Sequence, residues 1–189
     1  MISAILLAAG QSKRMTGENK LTKEIKGSPL IKHSVKNILA ATIDELIIVL
    51  GYQKEIIEKL IDKNEKIKFV FNKDFESGMA SSIKTGLKHL SKNTDAFFIC
   101  LGDMPWVKSD IYNLLIQSKG KKEIIIPTYN GQQGNPIFFD KSMKEEIMTI
   151  TGDVGAKKIL KNNKDKVLNF ETNDLGVTKN YNTQENFNI

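Results

Sequence analysis

Short apolar runs alternate with amphipathic segments along most of the chain. Five of the runs are too short for helices and are typical of strands buried on both faces: residues 2–8, 45–51, 67–72, 95–103 and 123–128. Between them, apolar residues recur at helical spacing and predict helices over residues 28–42, 54–63, 77–90 and about 109–118. Strands that alternate with helices through short connections predict a parallel sheet with helices on both faces.

The rhythm changes after residue 127. Residues 129–140 contain a glycine-rich turn between two short apolar or polar runs, which predicts a hairpin-like excursion. Helices are expected over 141–150 and 153–162, followed by a last strand over 166–172. No repeat or linker interrupts the chain. We therefore expect residues 1–189 to form one domain, a three-layer α/β/α sandwich with a mostly parallel Rossmann-like sheet and a late antiparallel excursion.

Composition narrows the class of protein. The 189 residues are 40% hydrophobic, enough for a sizeable core, and no apolar run approaches the ~18 residues that cross a bilayer. Cys100 is the only cysteine, so no internal disulfide forms, and a cytoplasmic location is expected. The net charge of +6 is spread over dispersed lysines, without a basic block interleaved with aromatic residues. This pattern indicates a solvated lysine-rich surface or a small anionic substrate, and neither nucleic acid nor a membrane as partner.

The stretch "AAGQSKR" joins the first strand to a cationic loop. Gly10 can adopt a positive φ, and successive loop N–H groups can hold phosphate oxygens. Arg14 and Lys20 then offer a guanidinium fork and a mobile ammonium. The spacing fits neither a P-loop nor a dinucleotide-binding glycine motif. On this stretch alone, a phosphate-binding turn and an ordinary loop with surface cations both stay open.

Two further loops follow strands at the edge where ligands bind open α/β sheets. Asp103 ends an apolar strand, so it is a candidate Mg²⁺ ligand, since Mg²⁺ takes one or two protein carboxylates plus phosphate oxygens. The alternative is a capping role for Asp103 on the next helix. The stretch "SGMASS" places Gly78 at a helix N-terminus, where an anion is favoured, with Ser81 and Ser82 nearby; simple capping by Ser77 is the alternative.

Two glycine-containing turns come later in the chain. In "GQQGNP", Gly134, Asn135 and Pro136 precede an apolar strand, and in "TGDVG", Gly152 and Asp153 open a helix. Both are compatible with ordinary structural turns. His33, His89 and Cys100 have no partner pattern that indicates catalysis or metal binding.

Taken together, these segments resemble the nucleotidyltransferases of the molybdenum-cofactor group, and most of all their cytidylyltransferase branch. The match runs in order through "LLAAGQSKRM", "NKL", "GSPLIKHSV", "GMASSIKTGL", "LGDMP", "GNPIFF" and "TGDVGAKKIL", nearly the whole chain. Related guanylyltransferases carry Gly-Gly where this chain has Ala8-Ala9-Gly10, which favours a pyrimidine nucleotide.

The resemblance implies CMP transfer from CTP to the phosphate of molybdopterin, with Mg²⁺ as cofactor and a molybdoenzyme as candidate recipient of the product. It implies catalytic roles for Arg14, Lys20 and Asp103, with Asp103 and Asn182 as metal ligands. The CTP-binding residues it implies are Leu7, Ala8, Ala9, Gly10, Arg14, Lys20, Gly78, Met79, Ser81 and Ser82. The acceptor-binding residues it implies are Gly134, Asn135, Pro136, Gly152 and Asp153.

The chain departs from the family pattern at two places. Thr16 stands where a glycine is usual, and the late aspartate-containing segment reads "NYNTQE", which puts an amide at Asn182 in place of a carboxylate. The alternatives are the same chemistry with GTP or with another acceptor, such as a sugar phosphate or methylerythritol phosphate, and a non-catalytic molybdenum-cofactor carrier.

Overall fold

A computed structural model describes residues 1–12, 19–153 and 155–181. The helices are α1 (Leu30–Leu39), α2 (Lys54–Leu60), α3 (Met79–Lys88), α4 (Ser109–Gln117), α5 (Lys144–Ile147) and α6 (Lys157–Asn162). The strands are β1 (Ile2–Ala8), β2 (Glu24–Ile25), β3 (Ser28–Pro29), β4 (Glu45–Leu50), β5 (Ile67–Phe71), β6 (Ala96–Leu101), β7 (Ile124–Tyr129), β8 (Gln132–Gln133), β9 (Ile137–Asp140) and β10 (Val167–Glu171). None of the helices in these ranges has the length and apolarity that a bilayer-spanning helix needs.

The main sheet has the strand order β10-β7-β9-β6-β1-β4-β5, and β8 pairs with the end of β7. Neighbouring strands are parallel except at β9, which lies antiparallel between β6 and β7, and at β8. The predicted α/β fold with a mostly parallel sheet and a late antiparallel excursion is thereby confirmed. The excursion turns at Asn130 and Gly131, which have φ of 50° and 73°.

Helices cover both faces of the sheet because successive side chains of each central strand point to opposite sides. Ala4, Leu6 and Ala8 of β1 lie in one core, with residues of α1, α2 and α4. Ile5 lies in the other core, with residues of α3, α5 and α6. β4 and β6 alternate in the same way, so the apolar runs of the sequence are buried on both faces.

Aromatic pairs join the antiparallel strand to the parallel part of the sheet. Phe98 and Phe138 lie opposite each other on β6 and β9, with ring centroids 4.6 Å apart. Phe97 and Phe139 form the next pair, on the other face, at 5.6 Å. All four side chains are fully buried. Cross-strand pairs of this kind stabilise a sheet and hold its register, so they keep β9 in place beside β6.

Some predicted elements are shorter than expected. The helix expected over 28–42 begins at Leu30, because Ser28 and Pro29 pair with β2 across a tight turn at Lys26 and Gly27, both with positive φ. Residues 141–150 contain a 3-10 turn and the four-residue α5. The helix expected over 153–162 begins only at Lys157, since the backbone at Gly152 and the side chain of Asp153 bind α3.

A close helix–sheet contact provides a test of this packing. A Cβ at Gly86, in the middle of α3, would lie 2.3 Å from Cγ2 of Ile5, which is fully buried in β1. Gly86→Val should therefore lower the free energy of unfolding by about 1–3 kcal/mol, because overpacking forces the helix away from the sheet. Urea denaturation measures the loss. Lys88→Val, on the exposed face of the same helix, is the control and should change stability by roughly 0.5 kcal/mol or less.

Candidate active site

A cavity of about 550 Å³ opens at the carboxyl ends of the central strands. In the sheet order, β1 lies between β6 and β4, and β5 follows β4, so the loops after these strands surround one space. Ten of the residues predicted from the sequence line this cavity: Leu7, Ala8, Ala9, Gly10, Lys20, Gly78, Met79, Ser82, Asp103 and Asp153. Segments that lie far apart in the sequence, and that were each predicted to contribute to the site, thus line one cavity.

Sequence reasoning missed nine other lining residues. They are Gln11, Ser12, Leu21, Phe75, Glu76, Ser77, Leu101, Gly102 and Asn180. Most of them are next in sequence to predicted residues, so their positions follow once the loop as a whole is assigned to the site. Asn180 is different, because the sequence contains no local signal that brings residue 180 to the end of β6.

The backbone after β1 is held by the loops on both sides. The Gly102 N–H donates to the Leu7 carbonyl at 3.1 Å, and the Tyr52 N–H donates to the Ala9 carbonyl at 3.2 Å. A Cβ on Gly51 would lie 2.7 Å from the Cβ atoms of both Ala9 and Phe75, so only glycine lets these segments approach. A positive φ was expected at Gly10, but Gly10 is not among the residues that have one. In this loop the positive φ is found at Ser12, at 52°. Gly10 instead leaves its side of the cavity open, since no atom of the described residues beyond its chain neighbours lies within 4 Å of a built Cβ.

Lys20 and Asp103 form an ion pair within the cavity. Lys20 Nζ lies 2.5 Å from Asp103 Oδ2, and the two side chains are 20% and 12% exposed. The Ser12 hydroxyl accepts from the Lys20 N–H at 3.1 Å, which holds the Lys20 backbone beside Ser12. Lys20 also begins a 3-10 turn that is capped by the Asn19 side chain. The lysine is therefore positioned by its backbone as well as by its carboxylate partner.

The backbone around Asp103 is fixed from several directions. Next to it, the Gly102 carbonyl accepts from the Ser34 hydroxyl at 3.0 Å, and a Cβ on Gly102 would lie 3.0 Å from the Leu7 carbonyl oxygen. The Asp103 carbonyl accepts from the Tyr181 N–H at 3.0 Å. Asp103 does not cap α4, since that helix begins after Lys108. The carboxylate is thus held at the cavity wall rather than used as a helix cap.

The N-terminus of α3 is bound by the 152–153 turn. Met79 N–H donates to Asp153 Oδ1 at 3.2 Å, and Ala80 N–H donates to the Gly152 carbonyl at 3.2 Å. Gly78 has φ +108°, and a Cβ there would lie 2.6 Å from the Asp153 backbone nitrogen. Two of the N–H groups that were expected to receive an anion therefore have partners within the protein. Ser77 does not cap the helix either, because Gly78 is the N-cap residue, and the Ser77 hydroxyl donates to the Asp74 carbonyl.

The two predicted serines have different surroundings. Ser81, in α3, donates to the backbone carbonyls of Asp74 and Gly78 and accepts from Asn72 Nδ2 at 2.7 Å. It is not among the lining residues. Ser82 accepts from the same amide at 3.0 Å and does line the cavity. The buried Asn72 thus orients both hydroxyls, and Ser82 is the one placed to meet a ligand.

The turn at Gly134, Asn135 and Pro136 does not line the cavity. Gly134 packs on the C-terminal segment, with its built Cβ 2.3 Å from the Val177 carbonyl oxygen, and the Asn135 N–H donates to the same oxygen at 2.8 Å. That segment continues to Asn180, in the cavity wall, and to Tyr181. The turn therefore contacts the C-terminal segment that carries Asn180 and does not contribute to the lining itself.

Two predicted residues, Arg14 and Asn182, lie outside the described residues. Tyr181 directly precedes Asn182, and its N–H binds the Asp103 carbonyl. Within residues 1–12, 19–153 and 155–181, no group of three or more histidine, cysteine or acidic side chains could hold a metal by itself. Cys100 is buried in β6, and this burial raises the pKa of its thiol, so it stays protonated and unreactive.

The chain belongs to the family described as the MobA-like NTP transferase domain, which it matches over residues 4–167. The enzyme class expected from the sequence is thereby confirmed.

Two relatives from Methanosarcina carry the same name. The chain is 29% identical over 151 residues to a protein of Methanosarcina mazei named probable molybdenum cofactor guanylyltransferase, covering 77% of this chain and 66% of that protein. A protein of Methanosarcina acetivorans with the same name is 30% identical over 131 residues, covering 67% and 57%. The matched stretch is therefore less than two thirds of either relative.

Solved structures share the fold. Rv0371c from Mycobacterium tuberculosis superposes with a TM-score of 0.87 at 22% identity, covering 98% of this chain and 94% of that chain. A structure of Rv0371c described as a complex with manganese gives 0.78 at 20% identity, covering 94% and 93%. A nucleotidyl transferase from Methanothermobacter gives 0.85 at 19% identity, covering 99% and 94%.

The contact between α3 and the 152–153 turn can be tested with a matched pair of glycines. Gly78 and Gly120 both have positive φ, +108° and +87°, but only Gly78 has neighbouring backbone within reach of a Cβ. Gly78→Ala should lower the free energy of unfolding by about 1–3 kcal/mol more than Gly120→Ala, because it displaces the turn in addition to straining φ. Thermal and urea unfolding measure the difference. Equal losses in the two variants would contradict the close contact.

Proposed function

We propose that this enzyme transfers CMP from CTP to the terminal phosphate of molybdopterin and releases pyrophosphate. The observation that carries the proposal is the Lys20–Asp103 pair in a cavity walled by the loop after β1, within a nucleotidyltransferase domain. The molybdopterin acceptor is supported by the names of the Methanosarcina relatives. The pyrimidine nucleotide is supported by Ala8, the last residue of β1, and by Ala9, which follows it.

The lining of the cavity suggests how a nucleotide lies in it. Asp103 follows β6, on one side of β1 in the sheet, and Lys20 is paired with it. Phe75 and Met79 follow β5, on the other side of β1. Met79 is 38% exposed although it is apolar. A flat base gains most from the apolar side, and phosphates gain most from the ammonium. We therefore place the triphosphate at the β6 side and the base at the β5 side.

Charge favours a divalent cation with the nucleotide. The described lining residues carry one cation, Lys20, and three carboxylates, Glu76, Asp103 and Asp153. A triphosphate in this lining needs further positive charge, which Arg14 and a metal ion would provide. Asp103 fits Mg²⁺, which binds through one or two carboxylates together with substrate phosphates, and Asn182 is the proposed second ligand. When bound, Mg²⁺ would stabilise the negative charge that develops on the transferring phosphate.

The reaction asks little covalent chemistry of the protein. A phosphate oxygen of the acceptor attacks the α-phosphorus, and the bond from that phosphorus to the bridging oxygen of pyrophosphate breaks. The attacking phosphate is already ionised near pH 7, so no general base is needed. The residues contribute position and charge: Lys20 and Arg14 bind phosphate oxygens, and residues 7–10, at the end of β1 and just after it, align the nucleoside. The acceptor phosphate is assigned to the side of Gly152 and Asp153.

GTP is the second candidate donor. The two Methanosarcina relatives are named guanylyltransferases, which favours guanine, whereas the Ala8-Ala9-Gly10 sequence favours a pyrimidine. Pyrophosphate release with each of the four nucleoside triphosphates, with and without molybdopterin, separates the two. Release with CTP alone, and only with molybdopterin present, is the expected result. Binding of molybdopterin without pyrophosphate release from any of the four nucleotides would instead indicate a non-catalytic carrier of molybdopterin.

The role of Asp103 can be tested by a nearly isosteric change. Asp103→Asn should lower kcat for pyrophosphate release by about 10²–10³-fold, because it removes a charge from the site of phosphoryl transfer. Asp110→Asn, which removes an exposed acid at the start of α4, is the control and should leave kcat unchanged. Near-normal turnover of Asp103→Asn would contradict the metal assignment.

A further inference from the structure

Glu76 and Gln11 form a polar pair in the lining of the cavity, on segments that follow β5 and β1, whereas Asp103 follows β6. Gln11 follows the first loop, and Glu76 lies in the 3-10 turn that precedes α3. Gln11 Nε2 donates to Glu76 Oε1 at 2.8 Å, and both residues line the cavity. The pair is formed by two loops that are 65 residues apart in sequence. It therefore depends on the fold and has no counterpart in a local motif.

The charge of Glu76 limits what it can face. A carboxylate beside a triphosphate is repelled unless a metal or another cation lies between them. Asp103 has Lys20 at 2.5 Å, whereas Glu76 accepts from a neutral amide. Glu76 belongs to the segment after β5 that also carries the apolar lining residues Phe75 and Met79, and this is where we place the base. An acceptor among apolar neighbours is suited to an N–H group on the edge of that base.

We infer that Glu76 selects the nucleobase by accepting a hydrogen bond from the amino group of cytosine, with Gln11 holding the carboxylate in place. This inference depends on the proposed binding of a pyrimidine nucleotide in the cavity. Cytosine and uracil have nearly the same shape, but cytosine presents an amino donor where uracil presents a carbonyl acceptor. A carboxylate binds the first and repels the second. Bases are distinguished in the same way where Glu or Asp accepts from the cytosine amino group in nucleic acids.

The test compares kcat/KM for CTP and UTP in the wild type and in Glu76→Gln. The amide keeps the shape of the side chain and adds a donor that the uracil carbonyl can accept. The ratio of CTP to UTP should fall at least tenfold in Glu76→Gln, mainly because UTP is used better. Gln11→Leu should shift the ratio in the same direction by a smaller factor. Glu58→Gln, an exposed acid on α2, is the control and should leave the ratio unchanged.

The outcomes separate this inference from the proposed function. If the wild type releases pyrophosphate from CTP but Glu76→Gln keeps its CTP to UTP ratio, the inference is wrong and the proposed function stands. If the wild type uses GTP in place of CTP, both the cytidylyl assignment and the amino-group contact are wrong. If the wild type uses no nucleotide, the proposed function itself fails. Because Glu76 is exposed, circular dichroism and thermal unfolding should show that the variant folds like the wild type.

Discussion

The pairing of β1 with β6 on one side and β4 on the other is the constraint on which the site depends. In this register Leu7 lies beside Leu101, and Ala8 lies beside Leu50, so three strands end at the same level. The loops that follow can then exchange hydrogen bonds, as Gly102 does with Leu7. A slip of one residue would turn every buried side chain to the wrong face, so the two cores also protect the geometry of the site.

Local charge, rather than the charge of the whole protein, shapes the cavity. The chain carries a formal charge of +6, yet carboxylates outnumber cations in the described lining. The dispersed lysines favour the approach of anionic substrates over long distances. In the proposed complex, the phosphates and the base then face different residues of the cavity. Lys20 and Asp103 suit phosphate together with a metal, while Glu76 suits a neutral donor. This division accounts for acidic residues in a site that we propose for a triphosphate.

The two sides of the proposed reaction are physically connected. Residues 152–153 were expected to meet the acceptor and residues 78–82 the nucleotide, and the structure joins them through the hydrogen bonds at the start of α3. The turn at Gly134 acts further away, through Val177, on the segment that reaches Asn180. Movement of either turn would therefore displace residues that line the cavity, because glycine contacts of this kind leave no free space.

The sequence by itself determined the strands of the main sheet, the order of those strands and the helices, and the loops that carry Gly10, Gly78 and Asp103. These elements follow from hydrophobic periodicity and from turn residues, which act over a few neighbouring positions. The enzyme class followed from the resemblance of the loop motifs to known nucleotidyltransferases, and the short strands β2 and β3 were not predicted. The tertiary structure alone decided that Asp153 binds α3, that Gly134 lies behind the cavity, that Asn180 lines it, and that Gln11 meets Glu76. Such contacts join residues far apart in the chain, and they depend on strand neighbours and register, which no local pattern encodes.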